Sequence, residues 1–219
     1  MRVLDGPRIE PSHGAATSLV VLLHGYGSDG HDLITLGDAL RTKLPDAAFV
    51  APHAPERLSH GASGGYQWFP LTMRDPSEYW RGATAAAAIL DQFLDAELAR
   101  RHLGANRLAL VGFSQGTMMA LHVGLRRPVL PAAIVGFSGL LAGPEQLPHA
   151  ATAALPVMLI HGDADAVVEI ESLHIAREAL AAKGYPVVWH VRPGLGHGID
   201  QVGLRFAGDF LADALRRLA

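Results

Sequence analysis

The 219-residue chain contains no cysteine, which removes disulfide scaffolds, thiolate metal sites and cysteine nucleophiles together. No stretch approaches 18 uninterrupted apolar residues, and the N-terminus, MRVLDGPRIEP, has no basic region followed by an apolar one, so neither a spanning helix nor a secretory leader is expected. A soluble, cytoplasmic protein without stable membrane association follows. Runs of like charge are also missing. With 18 basic and 21 acidic residues nearly cancelling to a net charge of -3, nucleic acid is not an expected partner. Internal repeats, low-complexity tracts and a linker are absent as well, which predicts a single domain over residues 1–219. Charged residues make up 18% of the chain against roughly 25% in an average domain, while apolar types reach 49%, the composition of a core-rich globule.

Short apolar runs alternate with longer segments at helical spacing, the pattern of βα units around a mostly parallel sheet with helices on both faces. Strands are expected at 18–23, 47–51, 107–112, 132–137, 157–160 and 187–191, with an edge strand from the first ten residues. Their consecutive apolar positions read as strands buried on both faces. Helices are expected at 31–43, 78–102, 115–126, 169–183 and 200–217. Val202, Phe206, Phe210, Leu211, Ala214, Leu215 and Leu218 form a stripe on the last, and Gly184 suits the C′ position of the one before it. The irregular stretch from Pro52 to about Ser77 holds Tyr66, Trp68, Phe69, Leu71 and Met73. Long loops in compact domains are usually functional or mobile. These side chains either fold the loop onto the core or wall an apolar substrate groove, and Trp68, Phe69, Leu71 and Met73 are the groove candidates.

Gly112-Phe113-Ser114-Gln115-Gly116 matches G-x-S-x-G directly after a buried strand and before a helix, where the turn projects the serine above the sheet. Gly136-Phe137-Ser138-Gly139-Leu140 follows another strand but lacks the second flanking glycine, so Ser138 reads as a structural serine at a strand end. A serine hydroxyl needs a base to take its proton, and the base needs an orienting acid. The order Ser, acid, His is present. His161-Gly162-Asp163-Ala164-Asp165 follows one strand and Gly194-Leu195-Gly196-His197-Gly198 follows another, both at the strand ends where open α/β sheets bind ligands. His197 is the base candidate. Asp163 and Asp165 are equal candidates for the acid on spacing, the other tying its loop down by accepting backbone N-H groups.

The turn His24-Gly25-Tyr26-Gly27 ends the first long strand, in the slot that supplies one oxyanion N-H, the second coming from Gln115 after the nucleophile. His24 is expected to brace this loop, since a triad uses one base. Gly25 to Gly30 also fits the dinucleotide fingerprint G-x-G-x-x-G, but the required acid at the end of the next strand is replaced by Val50-Ala51-Pro52-His53. No organic cofactor is expected. Twelve histidines invite a metal, yet HExxH is missing and only His161 lies beside carboxylates, so no metal is expected either.

Together LLHGYGSDG, VGFSQGTMMAL, IHGDADAVV and GLGHGI, with FVAPHAP and QWFPL, resemble the phospholipase/carboxylesterase family of small α/β-hydrolases, which includes the acyl-protein thioesterases. The resemblance spans nearly the whole chain. It implies the α/β-hydrolase fold and hydrolysis of carboxylic and thio esters by Ser114, with His197 as base, Asp165 as the orienting acid and oxyanion N-H groups at Tyr26 and Gln115. Many members place prolines after the acid and after the valines, where this chain has Ala166 and Glu169; many thioesterase-like members read W-F/Y-D, where it has Trp68-Phe69-Pro70. These departures favour a bacterial carboxylesterase acting on small or medium acyl chains over an acyl-protein thioesterase or lysophospholipase. A small-molecule ester is thus the expected partner. The family includes dimers, which leaves a homodimer open. A noncatalytic binding protein on the same scaffold, or a dinucleotide-dependent oxidoreductase, is the alternative of another class.

Overall fold

The structure, a computed structural model, describes residues 3–58, 64–72, 75, 77–150 and 155–217. Among these a seven-stranded sheet runs in the order β1-β3-β2-β6-β7-β8-β9. Its strands are β1 (Arg8–Ile9), β2 (Ser18–Leu23), β3 (Ala47–Val50), β6 (Leu108–Phe113), β7 (Ala133–Phe137), β8 (Val157–Gly162) and β9 (Val187–Arg192). All pair in parallel except β1, which lies antiparallel to β3. The short strands β4 (Glu56–Arg57) and β5 (Tyr66–Gln67), which no sequence pattern announced, form a separate ribbon inside the long loop.

Helices α1 (Gly30–Leu40) and α5 (Gln201–Arg216) cover one face; α2 (Ser77–Arg100), α3 (Gln115–Gly124) and α4 (Glu171–Ala182) cover the other. The apolar runs explain this. In β2, Leu19, Val21 and Leu23 join the core under α2 and α3, while Val20 and Leu22 join the core under α1 and α5, so every residue of the strand is buried. Asp29 caps α1 by accepting the His31 and Asp32 N-H groups, and Asp200 caps α5 by accepting that of Gly203. Gly184, with φ of 86°, ends α4 as expected, the Tyr185 N-H closing back on the Leu180 carbonyl.

Two expectations need correction. β9 is not buried on both faces: Val188, Trp189 and Val191 are exposed, because this strand is the free edge of the sheet. On α5 the stripe holds at Leu211, Ala214 and Leu215, and Phe206 and Phe210 pack against the same core though only half-buried; what it left out is Gly203, Ala207 and Gly208, small residues that let the helix settle onto the sheet. Leu218 lies outside the described residues. Among them, no helix is long and apolar enough to cross a membrane.

Candidate active site

Ser114 sits between β6 and α3 with φ of 53° and ψ of -117°, a left-handed backbone that non-glycine residues avoid. The surroundings hold it there. The Ser114 N-H donates to the Phe137 carbonyl at 2.9 Å, and Thr117 Oγ1 bonds the carbonyls of Gly112 and Phe137. A Cβ at position 116 would stand 1.8 Å from the Leu23 carbonyl oxygen, so the second glycine of the motif is a steric requirement. Ser114 thereby lies at the N-terminus of α3, where unpaired N-H groups and the helix dipole favour developing negative charge.

The turn after β2 abuts this elbow, since a Cβ on Gly25 would come within 3.2 Å of Ser114 Cβ. Among the described residues, the N-H groups of Tyr26 and Gln115 donate to no backbone carbonyl. His24 is fully buried and braces the turn: its Nε2 accepts the Ala54 N-H at 3.0 Å, which leaves the proton on Nδ1, 2.8 Å from the Gly25 carbonyl. Burial holds its pKa below the usual imidazole range, so it stays neutral.

The loops after β8 and β9 bring the acid and the base candidates together. His197 Nδ1 lies 2.8 Å from Asp165 Oδ2, and the His197 ring leans on Phe113, next to Ser114, at 4.9 Å between centroids. Spacing left the two aspartates equal; the structure sets Asp165 on His197 and gives Asp163 the other task, accepting the Gly194 N-H at 2.6 Å and tying the two loops together. Asp165 Oδ1 accepts the N-H groups of Val167 and Val168 at 2.9 Å each. Burial pushes the Asp165 carboxyl up, but the bonds from His197 and those two amides outweigh it and hold the group below the ordinary carboxylate range. Ser138, buried at the end of β7, supports the base loop by donating to the Gly198 carbonyl at 3.3 Å.

A pocket of about 390 Å³ opens beside Ser114, lined by Tyr26, Leu71, Tyr79, Gln115, Met118, Leu140, Val167, Val168, Glu169 and Ser172. Only Leu71 of the four groove candidates is among them. Trp68 and Phe69 turn inward, 1% and 2% exposed. Trp68 Nε1 donates to the His24 carbonyl, its N-H donates to Gln115 Oε1, and Gln115 Nε2 donates to the Phe69 carbonyl. These aromatics anchor the loop, because a buried indole or phenyl stabilises far more as core than as a wetted wall. Met73 lies outside the described residues. The Gln115 side chain, Thr117 and the lining residues Tyr79, Met118 and Leu140 escaped the sequence reading; a polar pair directly after an elbow serine, on a helix otherwise buried, was the available signal for the first two.

The phospholipase/carboxylesterase family model matches residues 4–215. The chain is 33% identical over 199 residues to esterase YpfH of Escherichia coli K12, covering 90% of this chain and 82% of that protein. It is 28% identical to acyl-protein thioesterase 1 of Gibberella zeae, covering 87% and 88%. The crystal structure of esterase PE8 superposes with a TM-score of 0.92 at 46% identity, over 98% of this chain and all of that one, and the fold is that of the α/β-hydrolases. On these grounds the chain belongs to the phospholipase/carboxylesterase family and is an esterase.

Proposed function

We propose that the protein is a serine carboxylesterase of the cytoplasm, with Ser114 as nucleophile, His197 as general base and Asp165 as the orienting acid. The observation that carries the reading is the 2.8 Å contact between His197 Nδ1 and Asp165 Oδ2 on loops converging beside the strained Ser114. An ionised Asp165 accepts a hydrogen bond from the Nδ1-H, which leaves the Nε2 lone pair to take the Ser114 proton during attack on the ester carbonyl. The tetrahedral oxyanion is held by the Tyr26 and Gln115 N-H groups, each such donor stabilising it by about 3 to 4 kcal/mol. His197 then returns the proton to the leaving alcohol, an acyl-Ser114 ester forms, and water activated by the same histidine releases the acid. No step calls for a metal or an organic cofactor.

The acyl group occupies the pocket lined by Leu71, Met118, Leu140 and Val168, whose size suits small to medium chains of small-molecule esters. The likeness to proteins named acyl-protein thioesterase extends the substrate class to thioesters. Fluorophosphonate labelling with peptide mapping, run beside hydrolysis of p-nitrophenyl esters from acetate to palmitate, tests the assignment. Label on Ser114 with turnover of the shorter esters is the expected result. A turning-over enzyme labelled elsewhere, or an inert protein, would overturn it.

A further inference from the structure

His161, at the C-terminal end of β8, takes no part in the proposed reaction, yet it is 2% exposed and touches the acid. Its Nε2 lies 2.7 Å from the Val168 carbonyl oxygen and 3.2 Å from Asp165 Oδ2, the oxygen that also faces His197. A carbonyl can only accept, so Nε2 carries the proton. The turn from Asp165 to Val168 is therefore gripped from both sides: the Asp165 carboxylate accepts the Val167 and Val168 N-H groups, and His161 holds the Val168 carbonyl. Rotating the carboxylate away from His197 breaks one grip, and flipping the Val168 peptide breaks the other. Val167 and Val168 also line the pocket beside Ser114.

We infer that His161 is a positioning residue whose Nε2-H fixes the Asp165 carboxylate and the Val168 peptide, and through them the alignment of His197. The inference rests on the proposed serine mechanism. The charged and titratable groups around this pair are few. His197 faces Asp165 from the base loop, Asp163 is held by the Gly194 N-H, and Glu169 follows Val168 at the pocket rim. Across from Gly162, Arg192 of β9 is paired with Asp200 at 2.9 Å, so β9 brings no uncompensated charge from this pair. The Nε2-H of His161, 3.2 Å away, therefore faces Oδ2 alongside His197 with no other described charge between them. Without it the carboxylate attracts an imidazolium more strongly, and the acid limb of kcat/KM moves to higher pH.

The test uses the full chain with His161→Gln and His161→Leu, following kcat and KM for a p-nitrophenyl ester across the range where imidazole titrates, with active sites counted by fluorophosphonate. A Gln amide nitrogen reaches the place of Nε2, so that variant keeps kcat within about threefold and the wild-type acid limb. The Leu variant loses up to about 100-fold in kcat per active site, a loss typical of small misplacements, with the acid limb shifted upward. Should His161→Leu fail to fold, His161→Asn, whose amide falls short of Val168, takes its place and behaves as described for Leu. Equal kcat and identical acid limbs in Gln and Leu, or in Gln and Asn, would overturn the inference. Failure of the mechanism itself shows separately, as a wild-type enzyme without turnover or without label on Ser114.

Discussion

The two edges of the sheet make opposite use of the same strands. At the C-terminal edge, β2, β6, β8 and β9 run into the turns that carry His24, Ser114, Asp165 and His197, and the N-termini of α1, α3 and α5 open there. At the N-terminal edge a larger groove of about 730 Å³ is lined by Pro128, Val129, Leu130, Pro131, Pro156 and Pro186, together with Val188 and Phe210. It exceeds the 390 Å³ pocket beside Ser114, yet among the described residues no serine or histidine lines it, and its charged groups, Asp213 and Arg217, sit at the end of α5 where carbonyls, not N-H groups, are left over. On the proposed mechanism an oxyanion is stabilised at the first edge by helix N-terminal N-H groups that the second edge does not offer. Volume is a poor marker of chemistry here; the direction of the helices is the better one.

Five substitutions and one pH series break or sharpen that contrast. Ser114→Ala is expected to lower kcat by about 10⁶-fold while the circular dichroism spectrum stays native, since on the proposed mechanism nucleophile, base and acid act as a unit; an active variant breaks the comparison outright. Asp165→Asn is expected to cost about 10⁴-fold by stabilising the wrong imidazole tautomer, and Asp163→Asn, which only weakens the tie to Gly194, a far smaller factor in the same p-nitrophenyl assay. Between the edges, His122 of α3 is buried, and burial pushes its pKa down to about 4. Because the unfolded chain binds that proton near pH 6.5, this group's contribution is complete above that value. It is lost as pH falls toward 4, at up to about 1.4 kcal/mol per pH unit. Urea midpoints measured over this window fall with pH, and His122→Gln flattens the slope. Smallest of all, Val129→Ser in the far groove leaves kcat/KM within about twofold, as an exposed change of about 0.5 kcal/mol would.

Much of this was legible because it is local. The glycine pattern around Ser114 and the apolar run of β2 are written in short windows, the order serine, acid, histidine can be read along the chain with the acid left between Asp163 and Asp165, and the strand and the turn at Ser114 are the ones found. What escaped depends on distance through space. Asp163 and Asp165 differ only in which way the loop after β8 turns, and the Leu195 carbonyl that accepts the Ala164 N-H, sequence-remote, helps set that turn. Trp68 and Phe69 look alike as wall or as core until Gln115, more than forty positions away, is seen holding the backbone on both sides of Trp68. The pocket itself draws on Leu71, Tyr79, Met118 and Leu140 from separate segments, a set that periodicity does not group.

The Gln115 amide bridge has a meaning for engineering. Because one side chain beside Ser114 clasps the backbone of Trp68 and Phe69, while the Trp68 indole clasps the carbonyl of His24, the turn, the elbow and the aromatic loop are coupled into one unit. A loop transplanted from another esterase to retune substrate range is expected to seat where Gln115 is kept, because both bonds it makes go to backbone groups. Libraries that randomise Trp68 or Phe69 will therefore disturb buried anchors and, at Trp68, the bond to the His24 carbonyl, whereas libraries that vary Leu71 or Leu140 will sample new pockets.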